Sequence, residues 1–258
     1  MRASLVRRSA LAASVASLVL LASACGGSSD DSDTKSTAVD TSKSASAPAS
    51  AEPEQSAVKA LTAAELEKVS LVEGDVADLK VEKAGAGDIV KTSDVTADKA
   101  ECLPFAQALF VAPQGKPVAT SARSAKEELS ADENAADLGG DLTMVGLASY
   151  EGKGAADVVA AVRTAATACA SGFTATVQGE TQKVSAIKED QVTGGEESAA
   201  WNLVVDQEGA KVPFDLALIR QGGTVGTFST CNLASFMGKE IKLEQPTAVV
   251  DAQVKKLS

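Results

Sequence analysis

Residues 199–230 read AAWNLVVDQEGAKVPFDLALIRQGGTVGTFST. Three apolar-rich runs, 199–206, 211–220 and 224–230, are separated by Gln207-Glu208-Gly209 and Gln221-Gly222-Gly223. Alternating, β-branched runs between glycine-bearing turns predict an antiparallel meander. In the middle run Val212, Phe214, Leu216 and Leu218 alternate with Pro213, Asp215, Ala217 and Ile219. Side chains in a strand point to opposite faces in turn, so the face carrying Asp215 is expected to be partly wet. Pro213 has no N–H to give to a ladder, which predicts a strand start or an edge position.

Working outward, the periodicity changes. Pro246 to Leu257 carries Val250, Val254 and Leu257 at helical spacing. Pro246 suits the first helical position, and Lys255 and Lys256 suit the negative end of the helix dipole. Upstream, 173–177 and 183–187 read as short strands. Residues 154–171 read as a helix, with Val158, Val162, Ala166 and Cys169 on one stripe, Val159 beside them and Gly172 as the stop. Residues 118–129 and 142–150 alternate as strands, and the polar stretch 131–140 between them reads as a loop. Cys102, Phe105, Ala106, Leu109 and Phe110 share one helical face, with Pro104 in the first turn of a helix starting near Leu103. Thr62-Ala63-Ala64-Glu65 is a capping-box pattern, and a strand is expected near 79–81. Strands with few β-α-β crossovers imply an α+β fold, an antiparallel sheet with helices packed on it, over a single domain at 58–258.

The first 57 residues have a different character. Arg2, Arg7 and Arg8 form a basic head, Ser9 to Ala22 is a short apolar run, and Cys25 follows directly before Gly26-Gly27. The layout predicts a signal peptide over 1–24, too short to span a bilayer, which takes ~20 apolar residues. Leu21-Ala22-Ser23-Ala24-Cys25 resembles a bacterial lipobox. That resemblance implies cleavage before Cys25 and diacylglycerol on its thiol, giving a lipid-anchored, palmitate-bearing protein on the extracytoplasmic face of the cell membrane. Ala22-Ser23-Ala24 also reads as an ordinary secretory cleavage site, and Arg7-Arg8 as a twin-arginine export signal. Residues 25–57, rich in Ser, Asp, Thr, Ala and Pro, hold too little apolar surface to offset ordering and read as a disordered tether of ~30 Å typical span, either a bare spacer or a glycosylated stalk.

Composition removes whole classes of chemistry. The chain of 258 residues has 35 acidic against 24 basic residues, a net charge of −11, and no histidine. Without clustered Lys or Arg, nucleic acid is not an expected partner. Without histidine there is no Ser-His-Asp or Cys-His arrangement, and the usual zinc and non-haem iron sites lose their main ligand. No P-loop and no G-x-G-x-x-G is present. Glu189-Asp190 and Glu196-Glu197 read as solvated loop charge. Ser56-Ala57-Val58-Lys59 and Ser185-Ala186-Ile187-Lys188 match Ser-x-x-Lys only by spacing. No catalytic residue, metal or cofactor is expected.

Four cysteines remain to be placed. With Cys25 lipidated, an oxidising compartment would pair two of the other three. Cys102 and Cys169, both on inward helix faces, are the expected pair, leaving Cys231 as a buried free thiol. An unlipidated Cys25 would permit two bridges. A ligand cleft is expected between the meander face bearing Trp201 and Phe214 and the helix from Val158 to Cys169.

Leu61-Thr62-Ala63-Ala64-Glu65-Leu66 followed by Glu73-Gly74-Asp75-Val76, and Ile219-Arg220-Gln221-Gly222-Gly223-Thr224-Val225 leading to Asn232-Leu233-Ala234, resemble actinobacterial secreted lipoproteins of unknown function. The layout of a Cys-bearing helix and a C-terminal meander is more remotely similar to the extracellular sensor domain of mycobacterial serine/threonine kinases. That likeness implies a disulfide-bridged α+β domain binding a ligand in a cleft, with no functional residue transferable. The expected role is a non-catalytic, membrane-anchored module that binds a small ligand or senses one. The alternative is a structural or chaperone-like envelope protein acting through protein contacts.

Overall fold

The computed structural model describes residues 58–127, 139–207 and 209–258. The expected signal peptide, Cys25, the tether and residues 131–138 of the expected loop lie outside them. The elements in chain order are α1 (Ala63–Val69), β1 (Leu79–Lys83), β2 (Val95–Ala97), α2 (Leu103–Leu109), β3 (Ala119–Glu127), β4 (Asp141–Ser149), α3 (Gly154–Ala168), β5 (Phe173–Val177), β6 (Glu180–Asp190), β7 (Glu197–Gln207), β8 (Ala210–Gln221), β9 (Thr224–Asn232) and α4 (Thr247–Leu257). Among the described residues the strands form one sheet in the order β1-β3-β4-β9-β8-β7-β6-β5-β2, with antiparallel pairing throughout. The fold is α+β, with the C-terminal meander at the centre of its sheet.

Both faces of that sheet are covered. Leu216 and Leu218 of β8 pack in a core with Phe105 of α2 and Val159 and Val162 of α3. Ala217 and Ile219 of the same strand pack on Val249 and Val250 of α4. The expectation of a wet face at Asp215 is therefore corrected: Asp215 is 2% exposed. The chain buries it by supplying a donor from the next strand, since Asn202 Nδ2 donates to Asp215 Oδ1 at 2.7 Å. Pro213 sits opposite Val204 of β7, and the β8–β9 ladder begins one residue later, at Phe214 opposite Cys231. Its missing donor falls where β9 has not yet joined.

The helices dock through specific polar ties as well as apolar stripes. Thr62 caps α1 and Glu65 returns to the Thr62 N–H at 2.8 Å, completing the capping box. Gln253 of α4 is fully buried because Leu71 N–H donates to its Oε1 at 3.3 Å and its Nε2 donates to Val69 O at 2.7 Å. Pro246 is the N-cap of α4 rather than its first residue. Lys256 pairs with Asp75 at 2.6 Å. Cys102, in the turn that opens α2, is disulfide-bonded to Cys169 at the end of α3, across 67 residues of sequence. Cys231 is free and buried. Gly172, at φ +98°, follows α3 where an added Cβ would lie 2.6 Å from Val184 O, so only glycine fits.

Candidate functional site

The two covering layers do not span the whole sheet. On the α2–α3 side, adjacent positions of β3, β4 and β9 bring together Thr120, Ala122, Gly146, Ala148, Val225 and Thr227. Small side chains on three neighbouring strands leave a hollow where larger ones would have filled the layer. The walls come from the segment after α2 (Val111 to Gln114), the segment after β1 (Asp88 to Val90), and Val158 of α3. They enclose a cavity of about 150 Å³. A second, more open chamber of about 260 Å³ abuts it, sharing Asp88, Val90, Val111 and Met144. An outer hollow of about 450 Å³ adjoins the first cavity at Gln114, Tyr150 and Val158.

The ends of the first cavity are polar and differ from each other. At one, Tyr150 donates its hydroxyl to Gln114 O at 2.9 Å, and burial pushes its phenol up to about 12, so it stays a donor at any physiological pH. At the other, Glu67 accepts from Lys83 at 3.1 Å and from Arg123 at 2.8 Å. The Lys83 hydrogen bond, with help from Arg123, holds the Glu67 carboxyl below the usual range. Arg123 is buried and also donates to Leu71 O at 2.8 Å, tying this end to the exit of α1.

These groups can bind and orient. Ser121 Oγ lies 2.8 Å from Ser70 Oγ and accepts from Arg123 at 3.0 Å. Cys231 lines the second chamber, and burial, with the Asp141 charge adding, pushes its thiol up to about 11. A thiol so placed is a neutral apolar wall at pH 7. Among the described residues no group of three or more Asp, Glu, Cys or His side chains is arranged to hold a metal, and no helix is long and apolar enough to cross a membrane.

Of the two residues expected at the cleft, Phe214 lines the second chamber. Trp201 lies instead in the core, 5% exposed, edge-on to Phe105 with ring centroids 5.5 Å apart. Val158 reaches the cavity, while Cys169 does not line it and is held in the disulfide with Cys102. Sequence reasoning missed Tyr150, Val111 and Met144. The small residues of β3, β4 and β9 carry no signal strand by strand, because only the register sets them side by side.

No family model matches the chain, and no curated protein matches it. Among solved structures it is similar to the extracellular domain of PknH from Mycobacterium tuberculosis, at 12% identity and a TM-score of 0.49, over 78% of this chain and 98% of that one. It is also similar to the Rv0999 ortholog of Mycobacterium smegmatis, an uncharacterised protein, at 10% identity and a TM-score of 0.33, over 76% and 93%. The similarity to a mycobacterial kinase's extracellular domain is thus present, at low identity.

Proposed function

We propose that this protein is a lipid-anchored extracytoplasmic module whose sheet cleft binds a small, largely apolar ligand, in the manner of a sensor or carrier rather than a catalyst. The observation that carries the reading is the cavity itself: small residues on three strands hold it open, two chambers adjoin, and polar groups stand at its ends. Apolar clefts with a few convergent polar groups are where small ligands bind. The Cys102–Cys169 bridge supports an oxidising compartment, and the basic head, apolar run and Cys25 support export and anchoring.

Ala122, half-buried on the cavity floor, is the place to fill it. Ala122→Leu should abolish the blue-shifted fluorescence of anilinonaphthalene sulfonate that the wild-type chain produces at one dye per molecule, with the thermal midpoint nearly unchanged. Equal dye binding by both proteins would contradict a ligand site here.

A further inference from the structure

We propose that the two chambers are one channel divided by Val111, and that the channel takes a linear acyl chain which threads past Val111 as its strained turn relaxes. This rests on reading the cleft as a ligand site. The chemistry of the partition is unusual. α2 ends in a Schellman turn: Val111 N–H donates to Ala108 O at 3.0 Å and Ala112 N–H to Gln107 O at 2.8 Å. The residue in Val111's place takes a left-handed conformation and is usually glycine. Here it is valine at φ +53°, and a β-branched residue at positive φ is a genuine outlier. Such strain persists only where the surroundings over-determine it, and it gathers at sites of function.

What holds Val111 is the floor of the cleft. A Cβ added to Gly146 would lie 2.4 Å from Val111 Cγ1, so β4 admits the valine only because it offers no side chain beneath. Val111 lines both chambers together with Asp88, Val90 and Met144, and its side chain lies against Gly146. Glycine at 146 and valine at 111 are thus two halves of one device, a side chain wedged across a passage and the gap that receives it.

The walls specify hydrocarbon. The far chamber is lined mostly by apolar side chains, Leu109, Phe110, Leu142, Met144, Phe214 and Cys231 among them, with Ser229 and Asp88 as its polar members. Among the described residues, the buried polar atoms without a partner belong to Arg163, Asp215, Ser235 and Gln245, and none of these lines either chamber. Two small chambers in series, sharing Asp88, Val90, Val111 and Met144, suit a flexible chain one methylene wide. The polar end at Glu67 and Lys83 is where a head group would emerge.

The test displaces anilinonaphthalene sulfonate from the full chain with octanoate, dodecanoate and palmitate. Each further buried methylene should tighten binding roughly fourfold, continuing through palmitate. Affinity that stops rising at octanoate would overturn the continuous channel. Val111→Gly suits the turn's backbone and opens the passage, so it should bind palmitate about tenfold tighter while octanoate is unchanged, because more of the protein is competent for the long chain. Identical affinities in variant and wild type would overturn the role of Val111. Dye binding with no acyl chain displacing it would sink the lipid assignment and leave the cleft reading intact. No binding of dye or acyl chain would sink both. Incubation with phosphatidylglycerol vesicles separates the sources: extraction of the phospholipid assigns a glycerol-linked chain, and palmitate binding alone assigns a free fatty acid.

Discussion

Asp215 is the most exacting single residue outside the cleft. It belongs to a polar row that crosses the sheet under α4: Thr143, Thr230, Asp215 and Asn202 are register partners on β4, β9, β8 and β7. Thr143 and Thr230 hydroxyls meet at 2.9 Å. Asn202 gives its amide to both Asp215 and Asp190, but Asp215 Oδ2 has no partner. Burial raises the Asp215 carboxyl above its ordinary value, the Asn202 hydrogen bond opposes this, and the charges of Asp190, Asp141 and Glu244 add to it. An acid raised in the folded state keeps its proton longer there than in the unfolded chain, so stability is full below the ordinary carboxylate range and falls as pH rises through the raised value. Asp215→Asn removes that loss. Its thermal midpoint relative to wild type should climb between pH 4 and pH 8, and a flat difference across that range would contradict the assignment. The residue was visible in the sequence but its burial was not. Alternation shows which face a side chain takes, and only the docking of α4 decides whether that face is wet.

At the scale of elements, the ones read correctly carry their own signals. The capping box at Thr62 and Glu65, the stripe of α3 and the glycine-bearing turns of the meander are local chemistry. The ones missed borrow their stability from neighbours. β2 is three residues long and pairs only with β5. β6 runs to Asp190, beyond its apolar centre at Val184 and Ile187, through a bulge where Ala186 takes φ +53°. Glu189 and Asp190 are therefore strand residues, and Asp190 accepts from Asn202 and Gln245. The disulfide belongs to this scale, because it joins the start of α2 to the end of α3. Cys102→Ser and Cys169→Ser should each destabilise the protein by about 2–4 kcal/mol in denaturant titrations, with the double variant no worse than either single one. Additive losses would show that the two side chains act independently.

The whole molecule joins a core legible in advance to a site that was not. The central antiparallel sheet, the helix positions and the inward placement of Cys102 and Cys169 follow from periodicity. The cleft does not, because it is defined by what is missing from a surface: Ala122, Gly146 and Thr227 each look unremarkable in their own strand, and only the β3–β4–β9 register sets them side by side. Trp201 misled for the same reason. A lone large aromatic in a strand serves a core as well as a cleft, and its edge-on contact with Phe105 depends on where α2 lands. The proposed anchoring is carried by Cys25 and the sequence around it. Anchor and ligand are read together in one experiment: the mass of the full chain, expressed with its own leader and purified gently from a bacterial envelope, taken first under native and then under denaturing conditions. The expected result is an adduct that survives desalting and leaves on denaturation, on a polypeptide that begins at Cys25 and keeps a covalent acyl mass. A native mass equal to the denatured one would contradict a ligand held in the cleft.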